Sequence, residues 1–425
     1  MKIIMHIDMN SFFATCEQQA QPHLRGKPIG VSGDPRSRTI VSAASIEAKK
    51  FGVKTGMAIY EARKLCPDIQ FIRCDPDKYW NISQRLVALY QSYTEAIEVF
   101  SIDECFIDIT NLRRDGVNPV STGIKIAQEI KQRIRKEIGA YISCSIGIAP
   151  NKLMAKLGSE MKKPDGLTII YPNNTQPPET TEDAFSVTEA LNRSELQDMC
   201  GIGRRTYKKL LLLNIQSFKD LHACSKLFLQ THFGKHQGTT LHAMARGIGS
   251  THIGHIDDKT PPKSMGHAIT LNKDTSDLLY CKAVILKLSL RVSKRMRNKK
   301  MQGRTVNLYI RFHDFSGAGG RVTINKKTNN GHTISYLAQD LLCEHTFAGK
   351  ETLRKSIRLL SVTVSNLSPE DNQISLLETE ENKTKAHTAM HEINKKFGDN
   401  TIEPLSTINL EDMPPDVNGF SKRNE

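Results

Sequence analysis

No stretch of the 425 residues approaches the ~18 consecutive apolar residues of a membrane-crossing helix. Nine cysteines are scattered without a Cys-x-x-Cys pair, which argues against a zinc site or a disulfide framework and fits a reducing cytoplasm. One tryptophan and 6% aromatic residues leave little with which to stack single-stranded bases. No internal repeat is visible. The opening "MKIIMHIDMN" has one lysine, a short apolar run and then an acid. It lacks the longer apolar core and small-residue cleavage site of a signal peptide, and reads as a strand ending in Asp8.

What is present is ordinary globular composition, 38% hydrophobic and 24% charged, with length for about two to four domains. The net charge of +14 points to a polyanionic partner. Its distribution says more. Residues 263–366 hold 19 Lys+Arg against 6 Asp+Glu, whereas residues 367–425 hold 6 against 12. One domain-sized block therefore carries nearly all the excess, the footprint expected of a phosphate-backbone binder.

The first ~165 residues read as a sheet with helices on one face. The strands are "KIIMHID", "PIGVSGD", "TIVSAAS", "AIEVFSI", "CFIDIT" and "YISCSIGIA", with a long helical stretch from Asp77 to about Ala96. In "GIKIAQEIKQRIRKEIG", Ile126, Ile130, Ile134 and Ile138 recur every four residues and predict an amphipathic helix. "YPNNTQPPETTED" marks a boundary, and a compact helical stretch follows to about Gly247. "GSTHIGHIDDKTPPK" reads as a linker. The basic block reads as an α+β module, with a helix from about Leu279 to Arg297 and strands Thr305 to Phe312 and Ser356 to Leu367. The acidic tail beyond reads as flexible apart from a helix near Ala386 to Phe397.

Two acid sites stand at strand ends. Asp8 closes the first strand, and Asp103-Glu104 interrupts "FSIDECFIDIT" between two apolar runs. Neighbouring strand residues point to opposite faces, but at a hairpin tip both can converge. If the first strand lies beside that hairpin, three carboxylates meet at one sheet edge and repel unless cations bind. Oxygen ligands select Mg²⁺, and two such ions serve in-line phosphoryl transfer, one on the attacking hydroxyl and one on the leaving phosphates.

In order and spacing, "HIDMNSFFATCE", "AKKFGVKTGM", "SIDECFIDIT", "SIGIAPNKLMAKLGSEMKKPDG" and the Gly-x-Gly segment at residue 201 resemble the Y-family translesion DNA polymerases, bacterial DinB/UmuC class, over roughly residues 3 to 366. The resemblance implies an α+β right-hand fold. The palm would be 1–11 and 78–167, the fingers 12–77, the thumb 168–247, a linker 248–262, the little finger 263–366 and an acidic tail 367–425. It implies a template-directed polymerase of low fidelity working with two Mg²⁺ on primer–template DNA and dNTPs. No exonuclease motif is evident, so proofreading is not expected.

By position, Asp8, Asp103 and Glu104 match the family's metal-binding acids, and Met9 the residue whose backbone carbonyl joins them. Phe13 matches the steric gate, a flat aromatic that would clash with a ribose 2′-OH; Phe12 beside it is a further candidate at the nucleotide site, with core as its favoured reading. Lys163 matches the lysine that meets the triphosphate. Where the family has Tyr and Arg in "NYEAR", this chain has "SIEAK", so Ile46 brings no hydrogen bond and Lys49 no guanidinium fork. Asn10 makes the chain UmuC-like. "LQDMCGIGRRTYKKLLLLNI" fits a helix-hairpin-helix, with Gly201 and Gly203 opening the turn to a DNA phosphate and Arg204, Arg205, Lys208 and Lys209 adding charge. Lys263, Arg291, Lys294, Arg295, Arg297 and Arg311 are candidate backbone contacts in the basic block. "QISLL", Gln373, Ile374, Ser375, Leu376 and Leu377, resembles the bacterial sliding-clamp pentapeptide. A cytoplasmic monomer is expected. The other reading open at this stage is a non-catalytic DNA- and clamp-binding accessory protein, for which intact acids and Phe13 would have no use.

Overall fold

A computed structural model describes residues 2–35, 38–112, 119–179, 183–255, 261–347, 355–370, 389–390, 392–394, 396–398, 401–407 and 410. The chain divides into two compact units, residues 1–258 and 259–417. Among the described residues no helix is long and apolar enough to cross a membrane.

The first unit is organised by a six-stranded sheet. In chain order its strands are β1 (Ile4–Met9), β5 (Ile97–Val99), β6 (Glu104–Asp108), β7 (Cys144–Ala149), β8 (Leu167–Tyr171) and β9 (Asp183–Ser186), arranged spatially as β5-β6-β1-β7-β8-β9. A smaller sheet, ordered β3-β2-β4, is made of β2 (Ile29–Ser32), β3 (Val41–Ala44) and β4 (Gln70–Arg73), and short helices α2 (Ile46–Lys50) and α3 (Ile59–Leu65) accompany it. Its own core includes Val41, Ala48, Val53 and Ala62.

Every residue of β1 is buried, because β6 and β7 flank it and side chains cover both faces. Met5, Ile7 and Met9 join a core shared with α1 (Phe12–Ala20), α4 (Pro76–Gln91) and α5 (Pro119–Arg133). Ile4 joins a second core with α6 (Lys152–Met161) and the helices α7 (Val187–Arg193), α8 (Arg204–Leu212), α9 (Phe218–Ala223), α10 (Lys226–Phe233) and α11 (Lys235–Met244). Helices thus lie on both faces of the sheet, not on one as the sequence predicts. The unbroken apolar run of β1 is the pattern of a doubly covered strand.

Local chemistry sets several of these elements. Asp75 caps α4, its carboxylate accepting from the Lys78 amide, with Pro76 in the first turn. Asn151 caps α6. At Gly147 on β7, a Cβ would stand 2.0 Å from the Ala155 carbonyl oxygen and 2.5 Å from the Ser159 nitrogen. Only a hydrogen there lets α6 descend onto the sheet. The expected boundary at residue 167 falls inside the sheet, which continues through β8 and β9 to Ser186. The segment after α11 is tied to this unit. Gly247 accepts from the Asn151 amide at 2.8 Å, Ser250 from Lys152 N at 3.0 Å, and Gly254 N donates to Glu98 at 3.1 Å. Residues 248–255 of the expected linker are therefore bound chain, while 256–260 lie outside the described residues.

The second unit is a four-stranded antiparallel sheet of β10 (Ser264–Thr275), β11 (Met301–Phe312), β12 (Gly317–Thr328) and β13 (Ile357–Pro369), in the order β10-β13-β11-β12. α12 (Leu278–Asn298) and α13 (Gly331–Phe347) share one apolar core with Val306, Leu308, Ile310 and Phe312. Leu410 is 4% exposed in that same core, and Lys287 of α12 lies 3.8 Å from Glu403. Part of the tail expected to be flexible therefore packs on this unit, because an apolar residue far along the chain finds its burial there. Residues 371–388, with Gln373 to Leu377, lie outside the described residues.

Candidate active site

β1 delivers Asp8 to the end of the sheet opposite Glu104, its partner in the β1–β6 register. The Met9 amide donates to the Asp103 carbonyl at 3.0 Å, which fixes the neighbouring acid. The tip between β5 and β6 is tight: Phe100 N and Ser101 N both donate to the Glu104 carbonyl, at 3.0 and 3.2 Å. The three acids expected from the sequence are thus brought to one edge. Asp103 is turned onto its own loop, where the Ser101 hydroxyl donates to it at 2.6 Å. One ligand atom each of His6, Asp8 and Glu104 lies within 4.8 Å of the others.

The electrostatics are uneven. Asp8 is 6% exposed, and burial pushes its carboxyl up to about 6 although Lys163 pulls the other way. Burial also raises Asp103, against the Ser101 hydrogen bond. At Glu104 burial acts upward too, but the His6 ring and the Lys156 ammonium outweigh it and hold the group at about 2. Two ammonium groups sit on these acids. Lys163 Nζ lies 3.0 Å from Asp8 Oδ1 and 2.6 Å from Glu160 Oε1, and Lys156 Nζ contacts Glu104 Oε2.

A cavity of ≈620 Å³ opens over this edge, lined among others by Asp103, Glu104, Phe13, Ile46, Lys49 and Lys163. Burial, then the nearby Lys163, lowers the Lys49 pKa, so two cations face one space. Phe12 is 2% exposed, within the core, and also borders the cavity. Phe13 stacks on Tyr79 with centroids 4.4 Å apart and planes 12° apart. The Tyr79 hydroxyl donates to Glu17 at 2.6 Å, and Lys78 neutralises that buried acid at 2.9 Å. Sequence reading missed His6, Lys156, Glu160, Tyr79 and Glu17. The signals were there: His6 precedes Asp8 by two, hence shares its strand face, and Lys156, Glu160 and Lys163 are spaced by four and three.

The candidate nucleic-acid residues scatter over both units. Gly201 adopts φ +103°, and a Cβ there would meet Met244 at 2.7 Å. Gly203 caps α8 in open space, with Arg204 exposed at the first position. In the second unit Lys263 is exposed just before β10. Arg311 lies on the helix-free face, over Tyr309 with 5.9 Å to the ring centroid. Arg295 belongs to α12 instead and donates to the Gly266 carbonyl at 2.9 Å, while Arg297 is turned onto Ser293 and Asn329. Beside Arg311 the same face carries Asn307, Thr305, Thr363, Ser365 and Arg321, the last of which the sequence reading passed over.

A family model described as the impB/mucB/samB family matches residues 7–160, and one for that family's C-terminal domain matches residues 262–376. A third, described as the DNA polymerase-iota thumb domain, matches residues 197–249. The chain is 33% identical over 366 residues to a DNA polymerase IV of Listeria innocua serovar 6a, covering 86% of this chain and 95% of that one. It is 34% identical over 401 residues to a DNA polymerase IV of Pelotomaculum thermopropionicum, covering 94% of each. Among solved structures, the Y-family DNA polymerase chimera Dbh-Dpo4(243-245)-Dbh is similar with TM-score 0.73 at 26% identity, over 87% of this chain and 100% of that one. DinB from Sulfolobus solfataricus is similar at 26% identity with TM-score 0.51, over the same shares.

Proposed function

Because the chain belongs to the impB/mucB/samB family of Y-family DNA polymerases, we propose how its residues divide the work of that activity. It is a template-directed DNA polymerase of the translesion type, a nucleotidyltransferase that joins dNTPs to the 3′-OH of a primer on template DNA. We assign the palm to the six-stranded sheet with α4–α6, the fingers to the β3-β2-β4 sheet, the thumb to α7–α11 and the little finger to β10–β13 with α12 and α13.

The observation that carries the assignment is the in-register pair Asp8–Glu104, with Asp103 on the adjoining tip, beneath the cavity. Three carboxylates and the Met9 carbonyl form an all-oxygen donor set, which suits Mg²⁺. Burial pushes the pKa of two of the acids upward, so the site favours added positive charge. Asp8, Asp103, Glu104 and the Met9 carbonyl would hold two Mg²⁺. Bound there, those ions would lower the pKa of the primer hydroxyl and neutralise the leaving phosphates. Lys163 and Lys49 neutralise the incoming triphosphate; Ile46, with no donor, gives no help. Phe13, braced by Tyr79, lies flat where a ribose 2′-OH would stand, and Phe12 supports it from the core. The backbone turn at Gly201 and Gly203, with Arg204, takes a DNA phosphate. Lys263, Arg295 and Arg311 add backbone contacts, of which Arg311 is best placed and Arg295 least. Gln373 to Leu377 dock on the bacterial sliding clamp, and the polymerase works as a cytoplasmic monomer.

Primer extension with Mg²⁺ and dNTPs on intact and abasic templates tests the reading. Extension by wild type, with rNTP use gained by Phe13→Ala, is the expected result. Absence of extension while DNA is still bound would favour the accessory protein. Unchanged clamp capture after deletion of Gln373 to Leu377 would remove the clamp from the account.

A further inference from the structure

His6 lies wholly inside the first unit, at 0% exposure, yet it is the polar residue of an otherwise apolar stretch of β1. It shares a strand face with Asp8 and stands diagonally across from Glu104, since its own register partner is Phe106. Nδ1 is 2.7 Å from the Ser159 hydroxyl on α6. Among the described residues Nε2 has no hydrogen-bond partner; its nearest acidic oxygen there is Glu104 Oε2 at 3.4 Å. That separation exceeds a formed N–H···O bond. A buried ring nitrogen left unsatisfied costs about 1–3 kcal/mol, and Oε2 is the acceptor within reach. Lys156 approaches the same oxygen from α6 and donates to it, so the His6 ring and an ammonium both face Oε2. Oε1 has no partner among the described residues.

We propose that His6 is the positioning residue of the catalytic glutamate: it anchors Glu104 through Oε2 and so presents Oε1 to the cation. The inference rests on the assignment of Glu104 as a metal-binding acid. The single Ser159 hydroxyl proton has two acceptors within reach, the Lys156 carbonyl at 2.8 Å and His6 Nδ1 at 2.7 Å; the role assigned to His6 requires that it go to Nδ1, which leaves the ring proton on Nε2, aimed at Glu104. The ring is held by α6 on one side and by Phe106, with centroids 4.5 Å apart, on the other. It cannot swing away when the ion arrives. Lys156 sits nearer solvent and can. An outer partner of this type orients a ligating carboxylate, and its loss typically costs about 10–100-fold in metal affinity or activity.

The test compares wild type, His6→Phe and His6→Gln as full chains. Mn²⁺ binding is read from loss of the free-ion EPR signal, beside single-nucleotide extension and thermal melting in chelator. His6→Phe keeps an aromatic ring but removes the donor, and is expected to weaken Mn²⁺ binding about 10-fold or more. It should lower kcat with little change in dNTP KM, and His6→Gln, whose amide can reach Oε2, should recover most of the loss. Mn²⁺ affinity of a folded His6→Phe within about twofold of wild type would overturn the proposal and leave His6 as core filling. Should His6→Phe fail to melt cooperatively, His6→Leu decides. It is smaller and equally without a donor, and an unchanged Mn²⁺ affinity there equally refutes the role. Wild type that binds Mn²⁺ tightly without extending a primer would count against the polymerase reading, with the His6 effect on the ion still measured.

Discussion

In the first unit β1 is buried on both faces, and its polar side chains crowd one end, where Asp8 meets Glu104 and two lysines sit on the acids. In the second unit β11 is buried along one face, while on the other Thr305 is covered but Asn307, Tyr309 and Arg311 are partly or fully exposed. Val306, Leu308, Ile310 and Phe312 point to the helices, while Thr305, Asn307, Tyr309 and Arg311 point away from them. Both sheets obey the same alternation, yet one gathers charge at a point and the other spreads hydroxyls and guanidinium groups over an area. Phosphoryl transfer needs several groups on one pair of reacting atoms, and burying them shifts their pKa values. Holding a duplex needs repeated weak contacts to a uniform polyanion, which a flat half-exposed sheet can supply.

The largest effect should come from breaking the gathering itself. Gly147→Ala places a Cβ 2.0 Å from the Ala155 carbonyl oxygen. It should push α6 off β7, cost about 3 kcal/mol or more in the melting transition, and carry Lys156, Ser159 and Lys163 away from the acids. Retention of both stability and extension would show that α6 need not touch β7. Leu410→Ala acts only on the other sheet. It removes a buried side chain, with an expected loss of about 2–4 kcal/mol in the second unit; an unaltered melting curve would return the tail to the status of a free segment. The smallest effect should follow Arg311→Ala with Arg321→Ala, on the spread surface. DNA affinity should fall several-fold, with a salt slope reduced by about two. An unchanged slope would move the DNA contact to some other surface of that unit.

Much of this was legible in the sequence. The strand ending in Asp8 and the apolar runs around Asp103-Glu104 are seen as expected, and the helix expected from Leu279 to Arg297 spans Leu278–Asn298. Strands expected at Thr305 to Phe312 and Ser356 to Leu367 are Met301–Phe312 and Ile357–Pro369. β12 was passed over because it is an edge strand, glycine-rich and half exposed, with no apolar run to betray it. Arg295 read as surface charge because composition records charge and not direction: its helix turns it onto the Gly266 carbonyl. The return of Leu410 to the core of the second unit could not be read, since one leucine in a polar tail has no periodicity. The partners of the acids were hidden for a similar reason. Lys156 and Lys163 lie some 50 residues or more from the acidic pair in sequence, and only the close approach at Gly147 brings down α6, which carries Lys156 and leads into Lys163.

The most direct test of the gathered acids is single-turnover dNTP incorporation by Asp103→Asn with Glu104→Gln, beside a measurement of DNA affinity. The account predicts a rate lower by about 1,000-fold or more with DNA affinity within about twofold of wild type, since these acids act on the reacting atoms and the grip lies elsewhere. A rate within about tenfold of wild type would contradict it, because the chemistry would then not depend on the acids that the fold brings together.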